Sequence, residues 1–136
     1  MPYIKNEDRE RALTAPQNAG ELNYCLTMIA LKYVQIKGEC YQTYNDIFAC
    51  MKCYDQAKYN WEDIESPANT LELKGKIGFT VLRYIGTQAS KGRTMAMWDV
   101  EGVFECCKME LYRRMCSNYE NLKATLNGDV FPKGEK

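Results

Sequence analysis

The chain has 136 residues, the usual size of one domain with one hydrophobic core. Hydrophobic residues make up 46% of it and charged residues 26%, so it is too apolar for disorder and too often interrupted by charge to span a membrane. Lys plus Arg number 18 and Asp plus Glu number 18, so bulk nucleic acid is not an expected partner. The seven cysteines, an odd number, and the acidic N-terminus without an apolar run favour a cytoplasmic protein with reduced thiols.

The N-terminal part predicts a short polar helix followed by a long amphipathic one. Residues 5–13 form the short helix, which Pro16 ends. Asn18 and, three residues later, Glu21 have the spacing of a capping box, in which side chains and backbone donors satisfy each other. Apolar residues then recur at steps of three and four until Gly38, which suits a C-terminal cap. This segment is helix A.

Two further start signals predict helices B and C. Thr43 and Asp46 repeat the cap-plus-acid spacing, and the apolar face that follows predicts helix B to about Asn60. An acidic connection leads to Ser66 and Pro67, a cap followed by proline at the first helical position. Helix C carries an apolar face interrupted by glycines, which favour a close helix crossing or a break; these glycines are Gly75, Gly78 and Gly86.

The last predicted helix, helix D, is the longest. It begins near Met95 or Met97, and Asn127 with the following glycine marks the turn after it. Its apolar stripe has helical spacing and consists of Val100, Phe104, Cys107, Leu111, Met115 and Tyr119. Because no long stretch alternates with period two, the fold class is predicted to be all-α.

The two halves of the chain read as copies of one helix pair. Residues 20–60 and 75–116 both follow the order glycine, helix, Lys-Gly, helix, with aliphatic and aromatic positions in register. One hairpin cannot bury its own apolar face, so the prediction is a single domain, 1–136, with a four-helix arrangement of two related hairpins and a short N-terminal helix. The alternative is that any two amphipathic helix pairs align this well.

Several segments resemble a family of small, functionally uncharacterised proteins of phages, prophages and bacteria. The resemblance lies in the opening Met-Pro-Tyr-Ile, in Gly-Glu-Leu-Asn-Tyr at 20–24, in Tyr-Arg-Arg at 112–114 and in Asn-Gly-Asp-Val at 127–130. It implies a helical fold and a mobile-element origin, without an activity. In shorter members the Asn-Asp-Ile start and the Tyr-Arg-Arg end lie on one continuous helix. Here residues 48–103 separate the similar segment at 41–47, which ends in Asn-Asp-Ile, from the segment at 104–114, which ends in Tyr-Arg-Arg. That departure fits an added, diverged helix pair.

Metal and catalytic chemistry find little support. Cys50 and Cys53 have metal-ligand spacing, but they lie in mid-helix, and the chain has no histidine to serve as ligand or as base for a cysteine nucleophile. Glu101 and Glu105, one turn apart, could hold magnesium together with the aspartates of neighbouring helices, as in helical nucleotide hydrolases. The spacing of two glutamates is a weak motif, and a solvated face is the ordinary explanation. The prediction is a protein without cofactor, metal site or catalytic residue.

Tyrosines and arginines give the candidate ligand site. Arginine binds phosphate through two parallel hydrogen bonds, and tyrosine offers a face on which a base can stack. The predicted ligand-binding residues, taken from the segments that carry the resemblance, are Tyr112, Arg113, Arg114, Tyr24, Asn23 and Tyr44. The structural alternative for Arg113 and Arg114 is pairing with Glu110 or capping of the C-terminal side of helix D.

Three functions remain open at this point. The first is a homo-oligomeric, phage-type protein that sequesters a nucleotide immune signal in the host cytoplasm and so counters host defence. The second is an interaction or structural accessory protein that binds a host protein through an amphipathic, methionine-rich helix face, formed by Met95, Met97, Met109 and Met115. The third is a magnesium-dependent nucleotide hydrolase.

Overall fold

A computed structural model describes residues 2–57, 71–93 and 97–131. Within these ranges the chain is helical and has no strand, which confirms the all-α prediction and the short N-terminal helix. The helices are α1 (Asn6–Thr14), α2 (Ala19–Lys37), α3 (Tyr41–Ala57), α4 (Leu71–Ser90), α5 (Met97–Leu111) and α6 (Ser117–Asn127), and a π-helical segment (Tyr112–Cys116) joins the last two.

Three predicted boundaries, at Asn60, Pro67 and Met95, lie outside the described ranges. None of the helices in the described part of the chain combines the length and apolarity needed to cross a bilayer.

The start of α2 is held by the predicted cap and by a contact that the sequence did not predict. The Asn18 side chain accepts the backbone N–H of Glu21 at 2.9 Å, as predicted. The Glu21 carboxylate accepts instead the backbone N–H of Gln17 at 2.9 Å, and it receives both Nη atoms of Arg11 at 2.8 and 2.6 Å. These charge-assisted bonds fix α1 against α2.

Helix α3 begins at Tyr41, earlier than the predicted cap at Thr43. The Thr43 hydroxyl donates to the Gly38 carbonyl at 2.7 Å and so closes the turn between α2 and α3 rather than capping α3. Asp46 does not cap α3 either. Its carboxylate accepts a hydrogen bond from the Tyr33 hydroxyl at 2.8 Å and so links α3 to α2.

The core lies where α2, α3, α4 and α5 meet. Helices α2 and α3 correspond to the first predicted hairpin, and α4 and α5 correspond to the second. Each helix of the first pair contacts both helices of the second, so the two pairs bury their apolar faces against each other. The largest fully buried apolar side chains come from all four helices and include Leu22, Leu26, Ile47, Met51, Ile77, Val81, Val100 and Phe104. This is the predicted four-helix arrangement.

Helix α4 runs without a break through its glycines. An added Cβ would meet open space at Gly75 and at Gly86, so neither glycine serves a close helix crossing. Glycine is required at the C-terminal ends of α2 and α4 instead, where Gly38 and Gly92 have φ of 88° and 74°.

Replacement of Gly38 by Ala should lower the free energy of unfolding by about 1 kcal/mol, because the left-handed backbone strains a residue with a Cβ. The matched control is Gly102→Ala in α5, where the Cβ meets open space and the higher helix propensity of Ala should stabilise the protein by about 0.5–1 kcal/mol. Urea unfolding measures the free energy of unfolding of both variants. Changes of the same sign in the two variants would contradict this prediction.

Candidate functional site

The structure brings only some of the predicted ligand residues together. Tyr44 and Tyr112 line one groove, and Arg114 lines a second pocket. Asn23 and Tyr24 line neither of these two cavities. The predicted residues are therefore divided among separate places on the surface and in the core.

The groove that contains Tyr44 and Tyr112 lies between α3 and the helix that runs from the π-helical segment into α6. Its volume is about 410 Å³. We call it the tyrosine groove; its lining residues are Tyr41, Gln42, Tyr44, Asn45, Phe48, Tyr112, Cys116, Tyr119 and Glu120.

The π-helical segment sets which residues of this helix face α3. The predicted stripe continued from Leu111 to Met115, but Met115 is only half-buried, and the next buried residue is Cys116. A π turn holds one more residue than an α turn, so the buried face moves forward by one position. Cys116 therefore takes the place of Met115 on the inner face, and Tyr119 of the predicted stripe follows it. Sequence periodicity carried no signal for this change.

Four tyrosine rings and the ring of Phe48 form the aromatic part of the tyrosine groove. Tyr44 and Tyr119 are 5% and 8% exposed, whereas Tyr41 and Tyr112 are 59% and 49% exposed. The Tyr41 and Tyr119 rings meet edge to face, with centroids 5.2 Å apart and planes at 85°. The Tyr44 and Tyr119 rings are tilted by 56° at 5.9 Å. These are favourable aromatic geometries, and none is a face-to-face stack that would cover both rings.

Carboxylates surround the tyrosine groove. The Tyr44 hydroxyl donates to Glu39 at 2.8 Å, and hydrogen bonding of the Tyr112 phenol to Glu120 raises the pKa of Tyr112. Burial raises the pKa of the Cys116 thiol to about 11, and the charges of Glu120 and then Glu39 add to this rise. The Glu120 carboxylate thus lies in the groove lining, and the Glu39 carboxylate is bonded to one of its tyrosines.

The two arginines lie apart from the tyrosine groove lining. Arg113 forms an ion pair with Glu110, the structural alternative considered above. The Tyr3 hydroxyl donates to the Glu110 carboxylate at 3.0 Å, and Arg114 donates to the same hydroxyl at 3.3 Å. Arg113 holds the pKa of Glu110 below its ordinary value, with a smaller contribution from Tyr3. Tyr3 was not among the predicted site residues, although the N-terminal motif contains it.

Asn23 and Tyr24 have structural surroundings on α2. Asn23 is 1% exposed, and its side-chain oxygen accepts the Thr27 hydroxyl at 3.2 Å. The Arg9 guanidinium of α1 lies 5.6 Å from the centroid of the Tyr24 ring, a cation–π distance. Both side chains thus contribute to packing around α2.

Metal ligands do not converge in the described part of the chain. It holds no group of three or more His, Cys, Asp or Glu side chains that could bind a metal ion. The side chains of Cys53, Asp55 and Asp99 are outside this description. Cys106 is exposed while Cys107 is buried, and Glu105 pairs with Lys108 at 2.7 Å.

Comparison with known proteins gives a family and no activity. The model of a domain of unknown function, DUF6899, matches residues 1–63 and again residues 61–130. No curated protein matches the chain, and no solved structure does. The first match contains the predicted copy at 20–60 and the second contains the copy at 75–116, while the helix-by-helix correspondence stays a prediction. The chain therefore belongs to the DUF6899 family, whose domain it matches twice in tandem.

Proposed function

We propose that this protein is a non-catalytic binding module that sequesters a nucleotide-derived signal, with the nucleobase held in the tyrosine groove. The observation that carries the proposal is that Tyr44 and Tyr112, which are distant in sequence, line one groove with Tyr41 and Tyr119. A base stacked on an aromatic side chain gains about 1–3 kcal/mol. The groove volume of about 410 Å³ lies within the common range for small-molecule sites.

Polar groups support recognition of a base edge. Asn45 and Gln42 add amide groups to the lining, and the Glu120 carboxylate can accept N–H groups of a base. Arg113 and Arg114 lie outside the lining, where they bond to Glu110 and Tyr3, so recognition in the groove rests on the base rather than on the phosphates. A phage-encoded protein of this kind would act in the host cytoplasm as a homo-oligomer, and its native mass is the first measurement to make.

Calorimetry against nucleosides, linear nucleotides and cyclic nucleotides tests the proposal. Replacement of Tyr112 by Leu should weaken binding about tenfold, because one stacking face is lost. Tyr112→Phe keeps the ring and should bind nearly as well as the wild type. Tyr24→Leu, outside the groove, controls for general effects of losing a tyrosine. Absence of binding across the whole panel would reject the nucleotide proposal.

A second candidate function is binding of a host protein through a helix face. Its specific support is the pair Phe79 and Leu82 on α4, which are 58% and 60% exposed, together with Met109 of the predicted methionine face, 64% exposed. Met95 and the side chain of Met97 lie outside the described residues. Capture from host lysate with wild type and with a Leu82→Lys variant separates this candidate from the first, since that substitution leaves the tyrosine groove intact.

A further inference from the structure

We propose that the tyrosine groove selects a positively charged organic group, a quaternary nitrogen carried by a small ligand. The inference rests on the proposed function in one respect, namely that the groove is a ligand site. It further specifies that the chemical group bound in the groove carries a positive charge. The ligand class is thus defined by a carbon-bonded nitrogen with a permanent positive charge, either in an alkylammonium group or in an N-alkylated aromatic ring.

The first argument is the electrostatics of the rings. The face of an aromatic ring carries partial negative charge and attracts cations that lie within about 6 Å of its centroid. Tyr41 and Tyr112 each leave about half of their surface to solvent, at 59% and 49%. Tyr44 and Tyr119 lie deeper between them, so a group that enters the groove meets several rings. Aromatic cages bind quaternary ammonium groups through several such rings.

The second argument is the charge of the surrounding side chains. Among the described residues that line the groove, Glu120 is the one formal charge. Outside the lining, Glu39 accepts the hydroxyl of Tyr44, and Asp46 accepts the Gln42 amide at 2.7 Å. One carboxylate thus lies in the lining, and two more are each one hydrogen bond away from a lining residue. This field attracts a cation and repels a phosphate inside the groove.

The third argument is that the protein already places a cation on one of these rings. The Lys123 ammonium lies 5.6 Å from the centroid of Tyr119. Lys123 follows on α6, one turn after the ring it contacts, and its four-carbon side chain can move away. The Tyr119 ring of the groove therefore accepts a cation, although Lys123 itself does not line the groove. A quaternary nitrogen should bind such a ring more tightly than a primary ammonium group does, because its hydration is weaker.

Matched cationic and neutral probes test the charge preference. Choline is compared with 3,3-dimethylbutan-1-ol, which has the same shape without the charge, and 1-methylnicotinamide is compared with nicotinamide. NMR titration of the full chain should show about tenfold tighter binding of each cation. The two pairs distinguish an alkylammonium ligand from a charged aromatic ring. Equal affinities within both pairs, or no binding of any probe, would overturn the inference.

Four variants localise the effect. Tyr112→Leu should weaken cation binding, while Tyr112→Phe should retain it, because the ring rather than the hydroxyl is required. Glu120→Gln should reduce the preference for the cation over its neutral partner. Lys123→Ala should strengthen cation binding, because it removes a positive charge that lies 5.6 Å from the centroid of the Tyr119 ring; no purely structural role predicts this change. Unchanged cation binding in Tyr112→Leu, Glu120→Gln and Lys123→Ala would also overturn the inference.

The two proposals fail separately. If cations bind and the nucleotide panel does not, the nucleotide proposal is rejected and the cation site stands. If nucleotides bind through Tyr112 without preference for a charged ring or head group, the proposed function stands and the cation inference is rejected.

Discussion

Replacement of Phe104 by Ala should lower the free energy of unfolding by about 3–5 kcal/mol. Phe104 is fully buried in α5, at the meeting point of the four core helices. Truncation removes the transfer free energy of the ring and leaves a cavity that surrounding helices can fill only in part. Because domains of this size are stable by about 5–15 kcal/mol, the variant should remain folded enough for urea unfolding to be measured.

Phe79→Ala in α4 is the control for this prediction. Phe79 is 58% exposed, and its ring contacts the Arg83 guanidinium at 4.3 Å. Loss of one exposed cation–π contact should cost less than about 1 kcal/mol. Phe104→Leu adds an intermediate point, because the smaller volume change should cost less than the alanine substitution. Similar losses for Phe104→Ala and Phe79→Ala would contradict the position of the core.

Replacement of Glu21 by Gln should destabilise the protein by about 2–3 kcal/mol at neutral pH. The Glu21 side chain is 6% exposed, and it accepts the Arg11 guanidinium and the Gln17 backbone N–H. An uncharged amide cannot accept all of these bonds, and the Arg11 charge loses its partner. Glu72→Gln is the matched control, since Glu72 is also a first-turn glutamate but is 84% exposed in its ion pair with Lys76. It should change stability by less than about 0.5 kcal/mol.

The destabilisation by Glu21→Gln should depend on pH. The hydrogen bond from Arg11 holds the pKa of Glu21 below its ordinary value in the folded protein. The carboxylate therefore contributes its full stability above the unfolded-state pKa, about 4.3, and this stability is lost as the pH falls through the lower folded value. Urea unfolding of wild type and variant should give curves that differ most near neutrality and converge in acid. A constant difference from neutral to acid pH would contradict the assigned role of the Arg11–Glu21 pair.

Helix content followed from the sequence because its causes are local. The spacing of apolar residues predicted α2 up to Gly38, and the Asn18 cap forms as expected. The start of α3 was predicted too late because the Thr43 hydroxyl bonds to Gly38 in the preceding turn, an alternative that the cap spacing does not distinguish. Local signals thus located the helices better than they located the helix ends.

The candidate site depended on contacts that no local pattern encodes. Tyr44 and Tyr112 were predicted as site residues from separate segments, and the structure places them in one groove. Tyr41 and Tyr119 complete it, but nothing in the spacing indicated that α3 and α6 face each other. The expected convergence of tyrosines with arginines did not form there, because Glu110 and Tyr3 engage Arg113 and Arg114. The carboxylates of the groove became apparent only from the tertiary structure.

The π-helical segment has a consequence for how this surface can change in evolution. The side chains that reach the tyrosine groove after Leu111 are selected by the number of residues in that turn rather than by their chemical nature. Substitution of Arg113 or Arg114 can alter the outer charge while Cys116 and Tyr119 keep their direction. Deletion of one residue from the π-helical segment would rotate the side chains of α6 about the helix axis and turn Tyr119 away from α3. The side of the groove opposite α3 thus depends on the number of residues in the π-helical segment. An insertion or deletion there would change it more than most substitutions would.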